Sequence, residues 1–530
     1  MKQSARSRLR RAPRRSSPLA LLAVAAALVV VGPPLLWLAA AALRAPAEAG
    51  PPLLDPLARG LLTRSLTVAG LAALLALLLG APLGWALARL RLPGRRLLTV
   101  GCLAPLLLPP YAAAHAWSQL LAREGPVNRA LLGGGWIETP IAPDRHAWVA
   151  AAVLAFTYWP IAAWLVRFAA RAVPRNLEDA ARMELPTERA LLLAGWPAVS
   201  RAVGTAALLL FLLSLADFGV TNSLGLPTYP VEIVRTFQSQ PVGVVMRLAL
   251  PLLVLVVPLV ALQSRLLEGT PLAPAGESGE PLRASLLVRA GLAGWGAAAI
   301  GLSVLVPLGV LAAESLPLHT YVEVWGESAD HFVNTLLSAG GGALLAGALA
   351  VGYVWAVRGR RVRGLDLLLT LPYALPGSLV GIALIQLLNR PGPAELLYSS
   401  LGGLVWLYAI LFLPFPYKTV QLAWGHVDRE LLEDALLQGA SPWQQFRAAA
   451  WPALRPFATA GGVIAALLSA REIDGTALLR IPGGDTIAFR IYDYLHFAPG
   501  PKLGALCVLL VLLSGAVAGL ALRWGGRASE

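Results

Sequence analysis

The stretch EDALLQGASPWQQFRAAAWP at positions 433–452 lies between long apolar runs, yet it is itself too polar to cross a membrane. A second stretch, LEDAARMELPTERALLLAGWP at 177–197, resembles an altered copy of it. At a constant shift of 255 positions, six residues of the earlier stretch fall on identical residues of the later one: Leu177, Glu178, Asp179, Ala180, Trp196 and Pro197 on Leu432, Glu433, Asp434, Ala435, Trp451 and Pro452. The chain therefore carries two related polar stretches.

The composition around these stretches is that of a membrane protein. Hydrophobic residues occupy 57% of the 530 positions and charged residues only 14%, too few to cover a soluble globule of this size. An α-helix needs about 20 apolar residues to cross the hydrocarbon core. Runs of this length predict an all-α polytopic protein with about twelve spans, near 19–43, 62–88, 98–122, 147–170, 203–226, 242–263, 290–313, 333–357, 365–388, 401–423, 457–479 and 503–522.

The positions of Lys and Arg predict the orientation, because basic loops stay in the cytoplasm. Basic residues are concentrated in the N-terminal tail and in the turns after the second and eighth spans, whereas 314–332 has four acidic residues and no Lys or Arg. Both termini are therefore expected in the cytoplasm. The net charge of +14 is attributed to this topology rather than to nucleic-acid binding. The first run also resembles a secretory signal, but its length favours an uncleaved span.

The repeat extends beyond the polar stretches and divides the chain into two halves. QLLAREGP at 119–126 recurs as QLLNRPGP at 386–393, and Pro105 and Pro109 recur as Pro372 and Pro376, all at a shift of 267. Matching segments start from the same side of the membrane, so the repeat is parallel, with six spans in each half. The expected organisation is a basic cytoplasmic tail (1–18), a first half (19–263), a linker rich in Pro, Gly, Ser and Glu (264–287) and a second half (288–530).

Each polar stretch is predicted to contain two short helices separated by a sharp turn. Asp428 and Asn176 are candidate N-caps, and Asp179 follows Asn176 in capping-box register. In the second copy, Gly439 suits a left-handed helix end, and Ser441-Pro442-Trp443-Gln444 restarts a helix with Trp443 and Phe446 on one face. Pro452 is expected to break the chain before the next span. The aromatic face predicts either a helix lying on the inner leaflet or a docking site for a cytoplasmic partner.

The pattern resembles the EAA loop of ABC importer permeases that depend on a binding protein. In that family the loop forms the coupling helices that contact the ATPase subunits. The resemblance implies this role for Glu178, Asp179, Ala180 and Pro197 in the first half, and for Glu433, Asp434, Ala435, Gly439 and Pro452, with Trp443 and Phe446 on the exposed face, in the second. The first half has Glu184 where the family has glycine, so its loop is expected to turn differently.

The resemblance covers almost the whole chain, because two fused six-span halves are found in iron(III)-type and thiamine-type permeases. The segment REIDGTALLRIPGGDTIAFRIYDYLHF, which starts at Arg471, is similar to the iron(III)-type sequence more than to the thiamine type. It implies a bacterial inner-membrane importer of ferric iron, with thiamine or another small solute as the alternative. The implied partners are two copies of a cytoplasmic ABC ATPase and an extracytoplasmic binding protein.

Three acidic residues fall inside predicted spans, where a charge is costly unless it is paired or faces water. Asp217, Glu472 and Asp474 are predicted to line a translocation path suited to a cation. The alternative for the second half is internal neutralisation, because Arg471 and Asp474 would lie three residues apart on one helix face. Asp217 has no basic neighbour in sequence, which favours the path.

Other sequence patterns exclude several chemistries. No GxxxxGK[ST] occurs, so ATP is expected to bind a separate subunit, and neither GxSxG nor HExxH is present. His115 has no second His or Cys near it in sequence and is predicted to be a buried, hydrogen-bonded histidine rather than a metal ligand. No cofactor, metal site or enzymatic activity is predicted for this chain. A secondary transporter of the major facilitator type, also built from twelve spans, is the competing interpretation; Gly94-Arg95-Arg96 fits its loop motif, whose acidic residue is missing.

Overall fold

The computed structural model describes residues 18–44, 55–144, 146–185, 187–268, 270, 284–497 and 499–527. Within these ranges all regular secondary structure is helical. The earlier helices are α1 (Pro18–Arg44), α2 (Pro56–Arg89), α3 (Arg95–Gly101), α4 (Pro110–Leu120), α5 (Pro126–Gly133), α6 (Ala147–Arg171), α7 (Arg175–Glu184), α8 (Thr187–Leu215), α9 (Gly219–Ser223), α10 (Tyr229–Ser239) and α11 (Val242–Glu268). Almost all of the predicted basic tail, and 269 and 271–283 of the predicted linker, lie outside the described residues.

The later helices follow the same order. They are α12 (Leu286–Ile300), α13 (Val306–Glu314), α14 (His319–Ala356), α15 (Arg363–Thr370), α16 (Gly377–Leu388), α17 (Pro393–Tyr398), α18 (Gly402–Phe412), α19 (Pro414–Ala423), α20 (Arg429–Leu437), α21 (Pro442–Gln445), α22 (Trp451–Ala470), α23 (Ile487–Phe497) and α24 (Pro501–Arg527). A π-helical segment joins α12 to α13, and another joins α21 to α22. Helix α8 and the continuous helix Pro442–Ala470 begin and end at residues 255 positions apart.

The all-α polytopic fold is confirmed. In the described ranges, nine helices are long and apolar enough to cross a membrane, and three bent helix pairs bring the number to twelve if each pair is one span. Each of these twelve segments overlaps one of the twelve predicted runs. Three of the predicted spans are bent, because α3 and α4 meet at 92°, α15 and α16 at 109°, and α18 and α19 at 48°.

Proline explains the two sharpest bends. Pro109 and Pro376, which are related by the sequence repeat, have extended backbone conformations (ψ 135° and 133°) immediately before α4 and α16. A proline cannot donate the backbone hydrogen bond that would continue the preceding helix. Average hydropathy does not register this break, so each pair was predicted as one uninterrupted span.

Two sets of predicted span ends also need correction. The fifth and eleventh spans were expected to reach 226 and 479, but α8 ends at Leu215 and α22 at Ala470. Conversely, the acidic segment 314–332 was expected to be a loop, whereas α14 already begins at His319. The predictions failed because apolar residues continue past the end of α8 and α22, and because helix structure persists beyond the apolar part of α14.

The first helix of each half packs against the opposite half. Helix α1 contacts α14, α16 and α18, and the Trp406 indole donates a hydrogen bond to the Val30 carbonyl (2.8 Å). Reciprocally, α12 contacts α2, and the Trp295 indole donates to the Leu79 carbonyl (3.1 Å). The buried apolar clusters consequently contain residues of both halves. The central region enclosed by α6, α8, α18 and α22 is therefore an interface between the halves.

Candidate coupling loops and central cavity

The second polar stretch has the local structure that its sequence predicts. The Asp428 carboxylate accepts hydrogen bonds from the backbone N–H groups of Glu430 (2.8 Å) and Leu431 (3.3 Å), so the predicted N-cap of α20 is confirmed. The helix ends at a left-handed Gly439 with φ of +75°. The Gly439 N–H donates to the Leu436 carbonyl, and the next N–H donates to the carbonyl five residues earlier, which is the Schellman arrangement.

The helix that follows also begins as predicted but does not end as predicted. Ser441 and Gln444 form both hydrogen bonds of a capping box. Pro452 was expected to break the chain, yet the helix continues from Pro442 to Ala470. The intervening π segment, in which the Trp451 N–H donates to the Phe446 carbonyl, provides a wider turn directly before Pro452. The second polar stretch, here called the second coupling loop after the role that the resemblance implies, is thus continuous with the eleventh span.

The first polar stretch differs at both ends of its first helix. Its helix α7 begins at Arg175 after Pro174, so Asn176 lies in the first turn and the predicted N-cap, with its capping box to Asp179, was wrong. The helix ends at Glu184 and continues into an extended Leu185 (φ −133°, ψ 151°) rather than a left-handed residue. The first loop therefore turns differently from the second, as the Glu184 substitution predicts.

Both loops expose apolar side chains at the same end of the helix bundle. Met183 is 88% exposed, Trp196 62%, Leu437 69% and Trp443 61%. The other predicted coupling residues whose side chains are described are exposed or half-buried: Asp179, Ala180, Glu184, Pro197, Glu433, Asp434, Ala435, Gly439, Phe446 and Pro452. The Glu178 side chain lies outside the described residues. Exposed aromatic and aliphatic groups on two related loops are typical of a protein-binding surface.

A cavity of about 1420 Å³ lies between the halves. Its lining includes Tyr158 and Phe168 from α6, and Val463 and Leu467 from α22. Arg455 and Thr459 line the part near the second coupling loop, whereas the three predicted path residues lie beyond the opposite ends of α8 and α22 and line the cavity there: Asp217, Glu472 and Asp474. Most of the remaining lining is apolar. The polar groups are therefore concentrated where the two long helices end.

The acidic residues Asp217 and Glu472 occupy equivalent turns with equivalent hydrogen bonds. The Asp217 carboxylate accepts from the Val220 N–H (2.9 Å), and the Glu472 carboxylate accepts from the Gly475 N–H (2.7 Å). Glu472 also accepts from both the N–H and the hydroxyl of Thr476. Each carboxylate thus caps the first turn after a span that ends early. Asp217 and Glu472 therefore cap a turn of the backbone and also line the cavity.

Arg471 does not neutralise Asp474 as the alternative interpretation required. Since α22 ends at Ala470, the two residues share no helix face. The Arg471 guanidinium donates instead to the carbonyl of Leu106 (2.9 Å), just before the bend in the first half. Asp474 is 93% buried by the protein, and its carboxylate makes no hydrogen bond of ordinary geometry among the described residues; Ser378 is a polar neighbour. Sequence analysis missed the contact between Arg471 and the first half because its partners are backbone atoms far away in sequence.

His115 is buried and hydrogen-bonded, as predicted. His115 is 6% exposed, and its Nε2 lies 3.0 Å from a carboxylate oxygen of Glu314 at the end of α13. Within the described ranges, no three His, Cys, Asp or Glu side chains are grouped so that they could hold a metal ion. The contact between His115 and Glu314 therefore links the two halves away from the cavity.

The path assignment predicts a measurable effect at Asp217. Asp217→Ala and Asp217→Asn are both expected to lower substrate uptake about tenfold at unchanged membrane abundance, because both remove the negative charge from the cavity. Asn keeps an oxygen that can accept from the Val220 N–H, so it separates charge from capping. Uptake into vesicles, normalised to the amount of protein, provides the measurement. Wild-type uptake by the Asn variant would assign Asp217 to the capping role alone.

Comparison with known proteins finds transport-system permeases that are similar to this chain. No protein-family model matches the chain. The Fe(3+)-transport system permease protein FbpB 2 of Haemophilus influenzae is 22% identical over 457 residues, which are 83% of this chain and 85% of that protein. A 2-aminoethylphosphonate transport system permease protein, PhnV of Salmonella typhimurium, is 27% identical over 211 residues, 36% of this chain and 77% of the relative.

A third relative is the sulfate transport system permease protein cysT of Nephroselmis olivacea, which is 28% identical over 233 residues, 40% of this chain and 81% of the relative. The phosphonate and sulfate permeases are thus about half as long as this chain, whereas the iron permease matches along both halves. The homologues of this chain are ABC-transporter permeases. The resemblance inferred from the two polar stretches is therefore confirmed, and the secondary-transporter interpretation gains no support.

Proposed function

We propose that this chain is the membrane-spanning subunit of an ATP-driven bacterial importer and itself catalyses no bond chemistry. The observation that carries the proposal is the pair of exposed helix-turn-helix loops on one side of a cavity that lies between two related halves. Each loop would bind one copy of a cytoplasmic ABC ATPase, and both chain termini would be cytoplasmic. Substrate would arrive from an extracytoplasmic binding protein on the opposite side.

The geometry supports a mechanical role for the loops. Helix Pro442–Ala470 runs without interruption from the second loop along the cavity to the turn that contains Glu472. A displacement of the loop by the ATPase would therefore move the cavity wall and the acidic turn together. Rocking of one half against the other about their interface would expose the cavity alternately to the two sides.

Ferric iron is the substrate that we propose first. The iron permease matches across both halves of this chain, and three carboxylates line the cavity. A second candidate is an oxyanion such as sulfate or a phosphonate. The shorter relatives are named as permeases of a 2-aminoethylphosphonate and a sulfate transport system. Arg471, a cationic residue, also lines the cavity.

The proposal is tested by uptake into proteoliposomes that contain the chain, its ATPase and its binding protein. We expect ATP-dependent accumulation of radioactive iron supplied as the ferric binding protein, and none with a non-hydrolysable nucleotide. Radioactive sulfate and 2-aminoethylphosphonate provide the comparison. Accumulation of an oxyanion instead of iron would replace the substrate assignment, and uptake driven by a proton gradient without the ATPase would contradict the importer assignment.

A further inference from the structure

The second coupling loop is attached to the membrane helices by a cluster of aromatic side chains, here called the aromatic anchor: Trp355, Trp424, Trp443, Phe446 and Trp451. Phe446 lies at its centre, with ring centroids 5.3 Å from Trp355, 5.5 Å from Trp443 and 5.8 Å from Trp451. Trp355 in turn contacts Trp424 at 6.0 Å. Aromatic pairs at these distances stabilise packing beyond simple burial. The anchor joins the last turn of α14 to the start of the eleventh span.

Arg358 extends this attachment to the turn of the loop. Its guanidinium stacks over the Trp355 ring at 3.6 Å and donates to the Gln445 side-chain oxygen at 3.3 Å. The Gln445 amide donates to the carbonyl of Ala440, directly after the left-handed Gly439 (2.8 Å). Gln445 is 94% buried, so this connection is not a loose surface contact. Arg358 therefore links the end of α14 to Gln445 directly, and through Gln445 to the turn at Ala440.

The backbone at this link is strained. Arg358 has φ of +52° and is the single non-glycine residue with positive φ in the described part of the chain. An ordinary side chain in this conformation costs about 1 kcal/mol, so the contacts of Arg358 must offset it. The next residue, Gly359, also has positive φ (+67°), and a Cβ there would overlap the Trp424 ring. Strain held in place by packing is typical of functional positions.

The first half lacks the sequence equivalents of most of the anchor. At the shift of 255, Trp443, Gln445 and Phe446 correspond to Glu188, Ala190 and Leu191. At the shift of 267, which relates the ends of α2 and α14, Trp355 and Gly359 correspond to Ala88 and Leu92. Two residues are kept, since Arg358 corresponds to Arg91 and, at the shift of 255, Trp451 corresponds to Trp196. The residues at the centre of the anchor, Trp355 and Phe446, thus have no aromatic equivalent in the first half.

Helix α14 connects the anchor to the opposite side of the protein. With 38 residues it is about 57 Å long. Towards its far end, the Asn334 amide donates to the Gly483 carbonyl (2.9 Å), and Glu327 forms an ion pair with Lys502 (2.6 Å). These contacts reach the segment that follows the acidic turn and the start of α24. A movement of α14 would therefore displace residues at both of its ends, the aromatic anchor at one end and the contacts of Asn334 and Glu327 at the other.

We propose that Trp355 and Arg358 are positioning residues that make the second coupling loop move as one body with α14, so that this loop transmits more of the ATPase displacement than the first. The inference rests on the proposed function, because it assumes that the loop binds the ATPase. Neither residue is among the sequence-predicted coupling residues. Their expected effect is on the coupling between ATP hydrolysis and uptake rather than on docking.

The test measures uptake and ATP hydrolysis by the complete complex in the same proteoliposomes. Trp355→Ala and Arg358→Gly are expected to lower the amount of substrate accumulated per ATP hydrolysed by about tenfold. ATPase association and basal hydrolysis should stay within about twofold of wild type. Glycine at 358 removes the side chain while relieving the backbone strain, so this variant should fold even if Trp355→Ala does not. Trp355→Phe should restore most of the coupling, and Trp325→Ala, which removes an exposed tryptophan elsewhere on α14, is the matched control.

Three outcomes decide the proposal. A selective fall in uptake per ATP supports it, whereas an unchanged ratio in folded Arg358→Gly overturns it. Loss of ATPase association in the same variant also overturns it, because the anchor would then only shape the docking surface. Failure of the proposed function itself would be recognised separately, since wild type would then show neither ATPase association nor ATP-dependent uptake.

Discussion

Glu433→Ala is expected to lower ATP-driven uptake about 30-fold or more while membrane abundance stays at the wild-type level. Glu433 is exposed on α20, and its carboxylate makes no hydrogen bond or ion pair within the described ranges. Its removal therefore takes no stabilising contact from this chain. Truncation of a charged group that becomes buried and hydrogen-bonded at an interface costs about 2–5 kcal/mol, and 1.4 kcal/mol corresponds to about a factor of ten.

The measurement compares uptake, ATPase co-purification and protein amount for Glu433→Ala and Glu430→Ala. Glu430 is an exposed carboxylate in the first turn of the same helix and serves as the matched control. Glu178→Ala tests the first loop, and a smaller loss there would agree with its different turn at Glu184. Equal and unimpaired uptake by all three variants would favour the alternative in which both loops lie on the inner leaflet.

The spans could be predicted where hydropathy alone decides the structure. They could not be predicted where a break in the backbone bends the span. A run of about 20 apolar residues has few alternatives to a helix in a membrane, which is why α1, α2, α6 and α11 lie where expected. The bends at Pro109 and Pro376 occur inside such runs, and a window average conceals them. The repeated prolines were visible in the sequence, but their effect depends on the neighbouring helices that accept the exposed backbone groups.

The helix caps of the second coupling loop could be predicted from the sequence. The continuation of its second helix into the eleventh span could not. Asp428, Gly439 and Ser441 act on backbone groups at most five residues away, so a short window contains the whole interaction. In the π segment before Pro452, Phe446 packs against Trp355, which is 91 positions away in sequence. The same reason explains why the aromatic anchor, unlike the caps, could not be derived from the sequence.

The sequence argument for the three path residues was incomplete. A carboxylate in an apolar run predicted exposure to a path, and all three predicted residues line the cavity. However, the predicted helix ends were too late by about ten residues, so the capping bonds of Asp217 and Glu472 were not foreseen. The alternative that paired Arg471 with Asp474 on one helix face was wrong, because the helix ends at Ala470 and the acceptor of Arg471 lies in the opposite half.

Gly84→Val is expected to prevent most of the protein from folding. Gly80 and Gly84 lie on the face of α2 that packs against α6, and a Cβ at Gly84 would lie 2.9 Å from the Ala163 Cα and 2.8 Å from its carbonyl carbon. These are backbone atoms, which no rotamer change can move away. Small residues four positions apart allow two helices to approach closely in a membrane. Valine would force α2 and α6 apart, with an expected loss of about 3 kcal/mol in stability.

The repeat provides the control for this experiment. Gly347 in α14 is the equivalent of Gly80 at the shift of 267, yet a Cβ at Gly347 would meet no atom within 4 Å. Gly347→Val should therefore accumulate in membranes and melt near the wild-type temperature in detergent, whereas Gly84→Val should be reduced in amount and melt well below it. Thermal unfolding of the purified variants, followed by monodispersity after heating, gives the comparison. Equal melting of the two valine variants would show that the close contact of α2 with α6 does not hold the first half together.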